Sequence, residues 1–143
     1  MEKFNVVISA DGSCFGNPGP GGWAAKLTCG KHEKKISGYD PDTTNNKMEI
    51  TAVIEALSVL KKPCNILFRL DSMYVAGLIS GESKPKKNVQ LWQELRKYLA
   101  LHSYTVQYVP AHTGDPDNEW CDAEAKRQWK ENFQFLKGAE SNA

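Results

Sequence analysis

Four carboxylates, Asp11, Glu49, Asp71 and Asp122, each stand at the edge of a segment whose apolar pattern points them inward. Carboxylates are seldom buried without partners. Four of them on one spot repel one another unless a cation sits between them. The chain is therefore restricted to folds in which strand ends and helix starts converge.

The segments themselves alternate. Lys3–Asp11 (KFNVVISAD) is a β-branched run of the kind found in a strand covered on both faces. Gly16–Gly22 is dense in turn residues, and Trp23–Cys29 and Lys35–Tyr39 read as two further strands of an antiparallel meander. Thr44–Lys62 is the clearest helix, with Thr44 or Asn45 as N-cap. Asn65–Asp71 is a strand, Ser72–Ile79 a short helix, Ser80–Asn88 a polar loop, Val89–Leu101 a helix and Tyr104–Val109 a strand. After the loop Ala111–Asp117, Asp115 and Pro116 make an N-cap and first-residue pair for a last helix running to about Phe135. This order predicts a mixed sheet with helices on its faces. Residues 1–136 form one expected domain, and 137–143 a frayed C-terminal tail.

Helical geometry puts Glu49 at the centre of a stripe made by Ala52, Val53, Ala56 and Leu60, with Glu55 on the opposite side. Asp122, Ala125, Trp129 and Phe133 share a face of the last helix in the same way. Asp11 and Asp71 each end a hydrophobic strand, where mixed α/β sheets place their sites. Singly, each acid has a structural explanation. Asp11 starts a turn, Asp71 caps the short helix, Glu49 pairs with a lysine, or Asp122 answers the helix dipole. Jointly they favour a site for a hard divalent metal, Mg²⁺ first, and phosphodiester chemistry.

Bulk properties exclude several classes. At 143 residues, 41% apolar and 24% charged, the chain matches an ordinary soluble domain. It has no membrane-length apolar stretch, and MEKFNVV lacks signal-peptide design, so a cytoplasmic protein is expected. Cys14, Cys29, Cys64 and Cys121 contain no C-x-x-C pair, which argues for reduced thiols over a zinc site. A net charge of +1 means that any grip on a polyanion must come from a local patch.

The motifs D-G-S-C-F-G-N-P-G-P-G-G-W (Asp11–Trp23), T-T-N-N-K-M-E (Thr43–Glu49), L-D-S-M-Y-V (Leu70–Val75), N-V-Q-L-W (Asn88–Trp92) and V-P-A-H-T-G-D-P-D-N-E-W-C-D (Val109–Asp122) together resemble type 1 ribonuclease H. The resemblance implies a five-stranded mixed sheet of order 3-2-1-4-5 and cleavage of the RNA strand of an RNA–DNA hybrid, giving 5′-phosphate and 3′-hydroxyl ends. It implies two Mg²⁺ ions, with Mn²⁺ as an alternative. Asp11 would be shared by both, Glu49 and Asp71 would complete one shell, and Asp122 the other. His112 matches the family's mobile histidine, suited to proton transfer. Cys14, Asn17, Asn45 and Asn46 match positions that contact the minor groove, where 2′-hydroxyls distinguish RNA from DNA. Thr44 with Asn17 resembles part of a pocket for a DNA-strand phosphate. The glycines of Gly16–Gly22 lack a following G-K-[ST], so they are read as a tight turn and not a Walker loop.

The chain also departs from the family pattern. A long helix and basic projection are reduced to Gly81–Lys87, leaving Lys84, Lys86 and Lys87 as substrate-contact candidates, with Arg96 and Lys97 further on. Fewer phosphate contacts imply weak, strongly salt-dependent hybrid binding. Met73 stands where glutamine is common, and Pro110 and Ala111 where lysine and glycine are frequent. Met1 at the start of the first strand and the short tail favour an independent protein over the RNase H domain of a reverse transcriptase, and a monomer is the default expectation. Transposases and integrases lack the T-T-N-N and D-G-S-C-x-G-N patterns. A non-catalytic hybrid-binding module is the alternative of another class, disfavoured because carboxylates gain a pure polyanion binder little.

Overall fold

The computed structural model describes residues 4–141, with side chains described to residue 132. The elements are β1 (Val6–Cys14), β2 (Gly19–Cys29), β3 (His32–Thr43), α1 (Asn45–Ser58), β4 (Asn65–Leu70), α2 (Met73–Ser80), α3 (Val89–Leu99), β5 (Ser103–Tyr108) and α4 (Pro116–Ser141). The sheet order is β3-β2-β1-β4-β5, as the resemblance implied. β1 pairs antiparallel with β2 and β2 with β3, while β1–β4 and β4–β5 are parallel.

Strand alternation assigns the two faces. Ile8 and Ala10 of β1 join Ile50, Val53 and Leu57 of α1, Phe68 of β4 and Leu95 of α3 in the main core. Phe68 and Ile8 are fully buried, each contributing roughly 1.5–3 kcal/mol through apolar area removed from water. Ser9 and Ser13, between and beyond those residues, face α4: the Cys121 thiol donates to the Ser9 carbonyl, and Trp129 Nε1 donates to Ser13 Oγ. A smaller cluster of Ala24, Cys121 and Ala125 seals this second face. A side chain at Gly22 would overlap the Ala125 carbonyl, so α4 lies close against β2.

Several boundaries differ from the sequence reading. β1 continues to Cys14, because Gly12, Ser13 and Cys14 go on pairing with Trp23, Gly22 and Gly21 of β2 after the apolar run has ended. β2 begins at Gly19 within the glycine-rich stretch, and polar, solvent-facing β3 extends well beyond Lys35–Tyr39. α4 continues past Phe135 to Ser141; of the tail expected at 137–143, residues 142 and 143 lie outside the described residues. Among the described residues no helix is long and apolar enough to cross a membrane.

Candidate active site

The parallel β1–β4 ladder ends at the Ala10–Leu70 pair. Asp11 and Asp71 are the next residues on each strand, so both leave the ladder at the same edge. Asp11 is therefore not a strand end, as the apolar pattern implied. It lies where one neighbour stops while the other continues.

Asp11 is only 6% exposed and accepts a 2.9 Å hydrogen bond from the Gly12 N–H. Burial pushes its carboxyl up to about 9. The charge of Asp71 adds to that, as do those of Asp122 and Glu49, against the lowering effect of the Gly12 bond. These cross-influences bring all four sequence-predicted acids into one electrostatic neighbourhood.

Glu49 comes from the first turns of α1, whose N-cap Thr44 accepts from the Lys47 N–H. Its carboxylate accepts from Ser72 Oγ at 2.7 Å and from Asn45 Nδ2 at 3.1 Å. Burial raises it to about 7, the Ser72 bond opposes that, and Asp71 adds to it. A lysine partner is not what holds it. Ser72, not Asp71, caps α2, accepting from the Val75 N–H at 3.1 Å. Asp122 pairs with Lys126 one turn along α4, at 3.1 Å.

Among the substrate-contact candidates, Asn45 bonds directly to Glu49. Asn17 Oδ1 accepts from the Asn45 N–H at 2.8 Å, tying the β1–β2 turn to the start of α1. The Cys14 thiol donates to the carbonyls of Gly19 and Thr43, each at 3.4 Å. Asn46 is exposed at the first turn of α1. Lys84, Lys86 and Lys87 are exposed in the loop between α2 and α3. His112 is exposed in the β5–α4 loop at φ 60°, and the structure describes no hydrogen bond from its imidazole.

That loop is anchored by residues the sequence reading passed over. Arg69 of β4 meets Asp115 at 2.5 Å, and Asp115 caps α4 by accepting from the Asn118 N–H at 2.9 Å. The Asn118 bond, then Arg69, holds the Asp115 carboxyl below the usual range. Its stabilising effect is present above the unfolded carboxylate pKa and is lost as pH falls through the lower folded value. Arg69→Ala is expected to cost about 0.5–1 kcal/mol at pH 7. Thermal melts should show the gap from the parent closing in acid. Ser72 and Lys126 also went unread, although Ser after a strand-ending Asp and Lys four residues beyond Asp122 are both visible signals.

The donor set is all oxygen and carries more negative charge than its surroundings neutralise, which fits a hard divalent cation. Among the described residues no group of three or more acidic, imidazole or thiol side chains is drawn together closely enough to hold an ion. A loose acidic shell suits Mg²⁺, which keeps waters and takes substrate oxygens.

The fold is a five-stranded mixed α/β sheet that brings four acids into one electrostatic neighbourhood. The RNase H family model matches residues 3–130. The ribonuclease H of Nitratidesulfovibrio vulgaris strain DP4 is 44% identical over 90% of this chain and 91% of its own length. RNase H1 from the halophilic archaeon Halobacterium salinarum superimposes with a TM-score of 0.77 at 25% identity, covering 88% of this chain and 98% of that one. LC11-RNase H1, solved in complex with an RNA/DNA hybrid, shares the fold with a TM-score of 0.73 at 20% identity over 90% of this chain and 99% of its own. The chain belongs to the ribonuclease H family, whose general activity is divalent-metal-dependent cleavage of RNA–DNA hybrids.

Proposed function

We propose that this chain is an endonuclease that hydrolyses the RNA strand of RNA–DNA hybrids with two divalent ions, Mg²⁺ by preference and Mn²⁺ as a substitute. The observation that carries this reading is the buried Asp11 carboxyl, raised to about 9 among three further acids. Such a cluster is stable in its charged form only with a cation. Asp11 would be shared by both ions, with Glu49 and Asp71 completing one set of ligands and Asp122 the other. Bound there, the ions supply activation of water and stabilisation of the leaving oxygen.

The chain's own residues supply the rest. Glu49, fixed by Ser72 and Asn45, accepts a hydrogen bond from the 2′-hydroxyl beside the scissile phosphate. Cys14, Asn17, Asn45 and Asn46 face the minor groove, and Thr44 with Asn17 receives a DNA-strand phosphate. Lys84, Lys86 and Lys87 neutralise further phosphates. His112, free of internal bonds among the described residues, moves the proton or aids product departure. Water forms a bond to phosphorus as the P–O3′ bond breaks, leaving 5′-phosphate and 3′-hydroxyl ends.

The test is cleavage of a uniform hybrid at low salt with Mg²⁺, Mn²⁺ or EDTA, beside RNA–RNA and DNA–DNA duplexes. Metal-dependent cutting of the hybrid alone is expected. Hybrid binding with no cutting under either metal would overturn the reading and leave a binding module in its place.

A further inference from the structure

One face of α4 carries a feature that the proposed cleavage does not use. Asp122, Lys126 and Lys130 follow at four-residue spacing, with Trp129 alongside. Trp129 stacks on Phe15 of the β1–β2 turn, with ring centroids 5.2 Å apart and planes at 30°. Phe15 remains 53% exposed. Lys130 Nζ lies 5.8 Å from the Trp129 ring centroid. A shallow cavity of about 530 Å³ runs over this face, lined by Asp122, Lys126, Arg127, Lys130 and Glu131. Of the four acids Asp122 lines it, and Phe15 and Trp129 are not among its lining residues.

We infer that this stripe is a track for single-stranded RNA that continues from the cleaved strand beyond the end of the hybrid. The inference rests on the function proposed above and extends its substrate class. Lys130 supplies the positive charge that this face offers a polyanion. Arg127 bridges Glu124 and Glu131 at 2.6 Å, so the acids beside the track are already paired. Lys126 is paired with Asp122, while Lys130 forms no ion pair among the described residues. A lysine beside an exposed aromatic ring suits a single strand, because every base offers a π-face while a phosphate meets the lysine. Spacing agrees as well. Eight residues of α-helix carry Lys130 about 12 Å beyond Asp122, the span of roughly three to four stacked nucleotides. A duplex is too stiff and wide to lay successive bases on the Phe15–Trp129 shelf, which selects an unpaired strand.

The experiment compares KM for a blunt hybrid with that for the same hybrid carrying an oligouridine extension. The extension is placed on the 5′ end of the RNA strand, on its 3′ end, or, as oligothymidine, on either end of the DNA strand. An extension at one end of the RNA strand is expected to lower KM at least threefold with kcat little changed. In Phe15→Ala and in Lys130→Ala, each compared with its own blunt-hybrid value, that advantage should fall by half or more. The exposed Lys130 position guards against loss of folding as the explanation. Cleavage of the blunt hybrid with no benefit from either RNA extension overturns the track while leaving the nuclease reading intact. An equal benefit from DNA-strand extensions, or a benefit that survives both substitutions, overturns it too. No cleavage of any hybrid sinks both.

Discussion

Replacing Asp11 with asparagine is expected to abolish hybrid cleavage while raising the melting temperature of the metal-free protein. The activity loss should reach at least ~10³-fold, since the shared ligand of the proposed ions disappears. The stability gain comes from the same residue. Asp11 has a folded pKa of about 9 against an ordinary value of 3.8. A carboxyl raised on folding favours the protonated native state, so its contribution is full below about 4 and is lost as pH climbs towards 9. At pH 7 the native state keeps Asp11 protonated, and so must take up a proton that the unfolded chain, with its ordinary value of 3.8, has already released. An uncompensated shift of this size corresponds to several kcal/mol, and water reaching the partly exposed acids screens much of it. A net gain of about 2 kcal/mol, near 5–10 °C, is expected for Asp11→Asn. The asparagine still offers an oxygen to the Gly12 N–H.

Melts in EDTA at pH 5, 7 and 9 check this. The parent should lose stability across the series, with Glu49, raised to about 7, adding to the fall between about 4.5 and 7. The variant should show a shallower slope, and Mg²⁺ should stabilise the parent more than the variant. A variant that melts lower than the parent, or that keeps the parent's full pH slope, would contradict the electrostatic picture. In acid the sign reverses. Glu124, lowered to about 2 by the Arg127 side chain, and Asp115 contribute stability above about 4 that disappears as pH falls through their depressed values.

The second large effect is expected at Gly12. A Cβ there would overlap the backbone of Glu49 and Met48 and stand 2.7 Å from Met48 Cβ. No rotamer change relieves a clash with the helix backbone, so β1 and α1 must separate. Gly12→Ala should cost about 3 kcal/mol or more, as overpacking against rigid neighbours does. It should also cut kcat at least ~100-fold, because Glu49 moves away from Asp11 by an ångström or so. Gly30→Ala is the control. Gly30 has φ 59° but open space around it, so only the backbone penalty of roughly 1–2 kcal/mol applies and activity persists. Denaturant titration and hybrid cleavage of both variants separate the two cases. Equal behaviour would mean that the α1–β1 contact does not position the acids.

Most element types could be read from local pattern, because periodicity and caps are local physics. Thr44 and Asp115 cap the helices they were expected to start, and the burial of Ala52, Val53 and Ala56 follows the stripe on which Glu49 was placed. What escaped was set across the sheet. The extension of β1 through Ser13 and Cys14 depends on β2 pairing, and polar β3 is held by its partner and not by apolar burial. Glu49 was expected to need a partner, but its identity, Ser72, depends on where β4 delivers the start of α2.

The sequence by itself determined the alternation of elements, the four acids and their inward direction, because each follows from spacing within one segment. Only the tertiary structure decided that Asp11 lies where the β4 ladder stops and the β2 ladder runs on. It alone joined Arg69 to the loop that carries His112 and stacked Phe15 on Trp129 beside Asp122. These contacts join residues far apart in the chain, and no local period encodes which distant side chain a turn or helix face will meet.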